Sequence, residues 1–370
     1  MCNDGCLNIF VTTILAIFLS PLLLFQCCRA KCARKKLPGQ RSNTCYQLCA
    51  CCGPAKTDYS NVVRDYCIRT VGEAAHERNK VTFVCLSDTH NRHRSLCSPL
   101  PLADVLVHTG DFTNFGTYKE VRDFVQWFGN QPHPVKIVVP GNHDMIIDQQ
   151  YWQEYWSDWS DVHEQGDDEK AIALFAEHGI HLLIDQRLDI PVPVVQPFLP
   201  IRNPVHDTDD GNKKDTAGDN YLSVYGSPWV TKYAQWSTAF NRVPDEMKKH
   251  WNTVTNEIQS HERSGGNVDV LLTHMPPKSV GDMEPNGTSH GCEYLRAMVE
   301  KLSPTVHVFG HVHSDAGWGN IAGTGDAAGN ETQCLNAASV CDYYFIRKNP
   351  VTFEVSTTTG TRSLTKKKRK

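Results

Sequence analysis

Hydrophobic residues in this 370-residue chain gather into short runs instead of long stripes. Val81-Thr82-Phe83-Val84-Cys85-Leu86 is apolar, β-branched and too short for a helix, so it predicts a strand buried on both faces. Similar runs recur at Asp104–His108, Val135–Val139, Ile180–Ile184, Tyr221–Tyr225, Val268–Leu272 and Thr305–Phe309. Between them the period changes. Tyr118–Phe128 places Val121, Phe124, Val125 and Phe128 on one helical face, and Pro244–Glu262 and Cys292–Leu302 also read as helices. Strands alternating with helices predict an α/β domain. Asn203–Asn220, rich in Asp, Gly, Asn and Lys, and Ser314–Asn330, rich in Gly and Ala, show neither period and are expected to be loops. No internal repeat is present.

Ahead of the first predicted strand the pattern is different. Leu7–Cys28 carries no charged residue and matches the roughly 20 residues that cross a bilayer. Arg29, Lys31, Arg34, Lys35 and Lys36 follow it, and only Asp4 precedes it. The positive-inside rule then sets the C-terminal side in the cytosol. A cleaved signal peptide would need a basic start, which is missing here. The variant is an interfacial segment held by lipidated Cys27, Cys28 or Cys32. Acceptors at Asn286 and Asn330 would be glycosylated only in a lumen. The expected organisation is an anchor at 1–28, a basic, Cys-rich linker at 29–78, a catalytic domain at 79–357 and a basic tail at 358–370. Lys366-Lys367-Lys368-Arg369-Lys370 reads as a solvated charge run that also suits an endoplasmic-reticulum retrieval signal.

Composition adds exclusions. With 40% hydrophobic and 21% charged residues the chain can bury a real core. A formal net charge of -4 gives no global basic field for nucleic acid, so no nucleic-acid partner is expected. Nine of the 15 cysteines fall in the first 52 residues and the others stand singly, unlike a secreted disulfide framework. The Cys45, Cys49, Cys51, Cys52 spacing fits ordinary zinc pairs poorly.

The candidate chemistry sits just after the strand-like runs. Five segments carry it: Ser87-Asp88-Thr89-His90, Thr109-Gly110-Asp111-Phe112, Pro140-Gly141-Asn142-His143-Asp144, Leu272-Thr273-His274 and Phe309-Gly310-His311-Val312-His313. Each alone is ordinary, since Gly, Asn and Asp favour turns. Together they bring carboxylates, an amide and imidazoles to the carboxyl ends of strands, where sites form in α/β sheets. Mixed oxygen and imidazole donors suit Mn, Fe, Zn or Ni better than Ca. Two such ions clamp the attacking and leaving oxygens of a phosphoryl group, and a water between them ionises near neutral pH.

In order and content the five segments resemble the motifs of the calcineurin-like metallophosphoesterases: D-x-H, G-D, G-N-H-[DE], H and G-H-x-H. The text around Tyr225-Gly226-Ser227-Pro228-Trp229 and Thr273-His274-Met275-Pro276-Pro277 resembles the metallophosphoesterase-domain-containing protein 1 and 2 family, with the likeness spanning most of 81–355. This resemblance implies a four-layer α/β/β/α sandwich and two divalent metal ions. It implies that Asp88, His90 and His313 hold one ion, that Asn142, His274 and His311 hold the other, and that Asp111 bridges. It implies that His143 is the general acid, that Asp144 hydrogen-bonds His143, and that Asn114 touches substrate. Some members lose the first His of G-H-x-H, whereas this chain keeps His311 and His313. Ser157–Asn220 looks longer and more acidic than the family pattern. The phosphate-binding arginines of protein Ser/Thr phosphatases are missing beside Asp111 and Asn142. The expected activity is hydrolysis of a small phosphodiester or nucleotide-type substrate by a metal-bridging hydroxide. The alternatives are a phosphomonoesterase and a membrane-tethered scaffold with little catalysis.

Overall fold

The computed structural model describes residues 79–96, 99–155, 157, 167–192, 220–232, 238–260, 267–357 and 363–367. The expected anchor, the linker, nearly all of Asn203–Asn220 and the last three residues lie outside them. Among the described residues no helix is long and apolar enough to cross a membrane.

Two six-stranded sheets form the domain. The first contains β1 (Lys80–Leu86), β2 (Val105–His108), β3 (Val135–Val138), β4 (His181–Leu182), β13 (Val351–Ser356) and β14 (Ser363–Lys366), in the order β14-β13-β1-β2-β3-β4. The second contains β5 (Gln186–Val192), β6 (Asn220–Ser227), β9 (Val270–Thr273), β10 (Val306–Phe309), β11 (Gly317–Ala322) and β12 (Glu331–Asn336), in the order β11-β12-β10-β9-β6-β5. A small ladder joins β7 (Val230–Thr231) to β8 (Asn241–Arg242). The helices are α1 (Tyr118–Gly129), α2 (Gln149–Tyr155), α3 (Asp168–Glu177), α4 (Pro244–Ser260) and α5 (Glu293–Leu302).

Strand alternation explains the layers. Val81, Phe83 and Cys85 point inward to an inter-sheet core with Val105, Val107, Leu222, Val224, Val270 and Val308. Val84 and Leu86 point the other way, into a cluster with Phe124, Val125 and Phe128 of α1 and Phe175 of α3. Leu271 and Phe309 do the same on the far side, against Trp251 of α4 and Leu295 and Val299 of α5. With both faces covered, the central strands read as continuous apolar runs. The architecture is therefore the expected α/β/β/α sandwich. A capping box starts α1: Thr117 accepts from the Glu120 backbone and Glu120 returns the bond to the Thr117 N–H.

Three expectations change. Ser314–Asn330 is not loop throughout, because β11 lies within it and pairs antiparallel with β12. Its edge position leaves most of its side chains partly or fully exposed, so the apolar alternation that marks a half-buried strand is missing. The tail does not begin at 358. Ser363–Lys366 pairs with Phe353–Ser356, and lysines suit an edge strand that must not recruit another chain. The Ile180–Ile184 run contributes only the two-residue β4.

A candidate two-metal centre

The parallel pairings place every ligand-bearing loop at one margin. β1, β2 and β3 run parallel with Leu86 opposite His108 and His108 opposite Val138. β9 and β10 run parallel with Leu272 opposite Val308. The loops after these five strands carry Asp88 and His90, Asp111, Asn142 and His143, His274, and His311 and His313. Asp88 bridges the sheets, accepting from the His311 N–H at 3.1 and 3.0 Å.

Two groups of metal-type donors result. Asp88, His90 and His313 form one, and Asp111, His274 and His311 the other. Asn142 joins the second, its Oδ1 lying 3.1 Å from His274 Nε2. One carboxylate oxygen, Asp111 Oδ2, sits 3.3 Å from His274 Nε2 and 3.7 Å from His90 Nε2, so it faces both groups. The seven residues expected as ligands therefore converge, with Asp111 between the halves.

Hydrogen bonds orient the rings. His90 Nδ1 faces the Thr113 carbonyl at 3.1 Å, and His274 Nδ1 faces the Thr109 carbonyl at 2.8 Å. A carbonyl only accepts, so each Nδ1 carries hydrogen and donates. In the neutral ring each Nε2 then presents a lone pair inward, as metal-binding histidines do. His274 Nε2 meets Asn142 Oδ1, His311 Nδ1 at 3.3 Å and Asp111 Oδ2, an arrangement of acceptors that a cation would satisfy. The donor set thus fits two divalent ions. Burial opposes a proton on His274, but Asp111 overrides it and raises the group to about 9. His313 is raised likewise, against burial, by its bond to Asp88. Burial pushes His90 and His311 down to about 3.

The backbone is shaped for this convergence. Asp88, His90, Asn91, Asp111 and His311 all have positive φ, from 40° to 70°, a region that side chains other than Gly, Asn and Asp enter at a cost of about 1–3 kcal/mol. Gly141 admits no side chain, because a Cβ there would collide with Asp111 Oδ1 and lie 2.8 Å from His274 Cε1.

His143 lies beside the ligands and outside both groups. Its ring is 4.9 Å from that of His90, and it lines a cavity of about 400 Å³ over the centre. The expected Asp144–His143 bond is not formed. Asp144 accepts from Asp111 N (2.9 Å), Gly141 N (2.8 Å), Thr113 N (3.0 Å) and Thr113 Oγ1 (2.7 Å). Its four donors tie the loop after β2 to the loop after β3. Burial and the Asp111 charge raise Asp144 to about 8, while those donors favour the ionised form. His143 Nδ1 instead donates to the Asn114 carbonyl, 2.8 Å away. Asn114 therefore enters the site through its backbone.

Some residues of the site carry no sequence signal. Tyr344 packs its ring at 4.7 Å from His90 and 5.5 Å from His313, nearly perpendicular to both. Glu284 and Asp342 stand at the cavity rim. All three sit in loops away from the five motifs. The only cue is the aromatic run Tyr343-Tyr344-Phe345.

Fold and donors define a class: α/β/β/α sandwich proteins built around a two-metal site. The calcineurin-like phosphoesterase family model matches residues 81–315, and the chain belongs to that family. It is 29% identical to human metallophosphoesterase domain-containing protein 1 over 275 residues, covering 72% of this chain and 68% of that protein. It is 30% identical to UPF0046 protein C25E10.12 of Caenorhabditis elegans over 286 residues, covering 75% and 82%. Among solved structures, TT1561 of Thermus thermophilus aligns at 8% identity with a TM-score of 0.38, covering 77% of this chain and 98% of that one.

Proposed function

We propose that this protein hydrolyses a small phosphodiester or nucleotide-type ester, with His143 as the general acid. Family membership and the donor set support metal-dependent phosphoester hydrolysis. Two bound divalent ions would supply Lewis-acid polarisation of the phosphoryl oxygens and a nucleophile available near neutral pH. Asp88, His90 and His313 would hold one, Asn142, His274 and His311 the other, with Asp111 shared.

The chain's own groups do the rest. Asn114 holds the Nδ1–H of His143, which leaves Nε2 as the ring nitrogen that would deliver a proton in a residue lining the cavity. That position suits donation to a departing alkoxide, worth about 10²–10⁴ in rate.

One observation carries the preference for a diester. The cavity is lined by the carboxylates of Asp111, Glu284 and Asp342, and among the described residues that line it there is no Lys or Arg. A diester carries one negative charge, whereas a monoester approaches two at pH 7. The rim acids repel the second charge, and Asp88 and Asp111 offset part of the charge that two divalent ions would bring.

Comparing an aryl diester with the matching aryl monoester, with manganese added, tests this reading. The diester should have the larger kcat/KM, and Glu284→Gln with Asp342→Asn should narrow the gap. Faster monoester turnover would reverse the substrate preference. Absence of turnover on both would remove the catalytic reading and favour a scaffold, and full activity in His143→Ala would remove the general-acid role of that residue. A membrane tether through 1–28 with a cytosolic domain is part of the same proposal. It rests on the charge pattern of that segment alone, and glycosidase sensitivity would overturn it.

A further inference from the structure

Of the seven large apolar residues exposed among the described residues, one lines the metal cavity and four are next in sequence to residues at the site. Tyr343, Tyr344 and Phe345, Met283 and Phe115 are 81%, 39%, 54%, 42% and 44% exposed. Tyr344 itself lines the metal cavity, Met283 precedes the rim residue Glu284, and Phe115 follows the Asn114 that orients His143. Exposed apolar side chains concentrated at one place mark a binding surface.

Tyr344 is fixed there by the chain around it. The chain leaves β12 and pairs with the end of β1, the Ser339 N–H donating to the Ser87 carbonyl at 2.9 Å. It then turns tightly. Tyr344 N donates to the Cys341 carbonyl at 2.7 Å, Cys341 N to the Phe345 carbonyl at 3.0 Å, and Val340 bridges Ile346. Lys348 Nζ donates to the His313 carbonyl at 3.1 Å, tying this segment to the last ligand loop. The turn places Tyr344 at φ 59°, a strained setting for a bulky residue that persists only where surroundings enforce it. Its ring stands upright against His90 and His313 while over a third of its surface stays free.

We infer that Tyr344 is a specificity-determining wall that contacts the esterifying group next to the phosphoryl, and that this group presents a flat, uncharged face. The inference rests on the phosphoester reading of the site. A flat group would gain ring contact, whereas an anionic one would meet Asp342 and Glu284. Stacking of a planar group on an aromatic side chain is worth about tenfold or more in affinity.

The test uses the full chain loaded with manganese and two unreactive monoanions with CH2 in place of the ester oxygen of a phenyl and of a methyl ester, benzyl(methyl)phosphinate and ethyl(methyl)phosphinate, with binding read by calorimetry. The native protein should bind the phenyl-ester analogue about tenfold or more tightly than the methyl-ester analogue. Tyr344→Phe should keep that ratio. Tyr344→Ala should reduce it to about one or two with metal content unchanged, as expected when the aromatic face supplies the discrimination. Equal binding by the native protein, no binding of either analogue, or an unreduced ratio in Tyr344→Ala overturns the inference. So does a parallel weakening of both analogues with loss of metal, which would make Tyr344 a prop for His90 and His313. Lack of turnover on aryl diesters would sink the hydrolase reading and leave this binding ratio standing.

Discussion

The backbone N–H of His143 donates to Asp111 Oδ1 at 2.9 Å, so the residue proposed for proton transfer hangs from the residue proposed to bridge. The dependence runs one way. The bond uses the His143 main chain, and truncating that side chain leaves it intact. His143→Ala should retain two metal equivalents and lose about 10²–10⁴ in kcat. Asp111→Asn should lose metal as well as activity. Elemental analysis of both purified variants checks the division, and metal loss in His143→Ala would refute it.

Asp144 should behave as a structural residue. Asp144→Asn replaces acceptor oxygen by an amide that confronts N–H and O–H donors of Asp111, Gly141 or Thr113. A buried donor left unmatched costs about 1–3 kcal/mol. Lower unfolding free energy and weaker metal retention are expected, with no new step in the pH–rate profile. A variant with unchanged stability and a shifted profile would restore direct coupling to His143.

Much of this arrangement is legible in the sequence, for identifiable reasons. Val81–Leu86 is covered on both faces, so its apolar run marks β1, and Asp88 and His90 follow that strand directly. The donors of the centre are side chains of distinctive type at strand ends. The groups that aim them are backbone carbonyls of Thr109, Thr113 and Asn114, and a carbonyl gives no residue-type signal. Asp144 departs from what the family resemblance implied because its carboxylate turns toward the loop after β2 and the Gly141 N–H instead of His143. Tyr344 reaches His90 across 254 positions only because Ser339 pairs with Ser87. β11 stays hidden because an exposed edge strand has no buried face to write into the pattern.

Gly141 offers a test by steric addition. Gly141→Ala inserts a methyl group against Asp111 Oδ1 and the Asp111 backbone N. Overpacking of this kind costs about 1–3 kcal/mol, and here the strain falls on the bridging carboxylate. Metal affinity should drop more than global stability does. Titration of a chelated sample with manganese, set beside urea unfolding, measures both. Equal losses would show that the strain is not local.

Acid should weaken the fold through His307, which lies in β10 between the inward-facing Val306 and Val308. Thr273 Oγ1 donates its hydrogen to the Met275 carbonyl at 2.7 Å. His307 Nε2, 2.8 Å from that oxygen, must therefore be the donor to it. The ring is fully buried and neutral, and burial lowers it to about 3. The unfolded chain takes up this proton near pH 6.5. Its contribution is complete above that value and falls as pH drops from about 6.5 toward 3, by about 1.4 kcal/mol per pH unit. Urea unfolding between pH 7 and 4 should show a shallower loss for His307→Leu than for the native chain. Parallel slopes would refute the assignment.

Each donor group draws on both sheets: Asp88 and His90 from one and His313 from the other, Asp111 and Asn142 from one and His274 and His311 from the other. Between the leaves the core contacts are apolar with no directional preference, and hydrogen bonds such as those of Asp88 with the His311 N–H and of Ser87 with the Ser339 N–H cross near the same margin. An ion at each group would act as a stud through both covers at a single margin, setting their angle as well as closing them. Chelation should then lower the melting temperature and loosen hydrogen-exchange protection first at the ends of β1, β2, β9 and β10. Small changes deep between the leaves should in turn be felt at the margin as altered metal spacing.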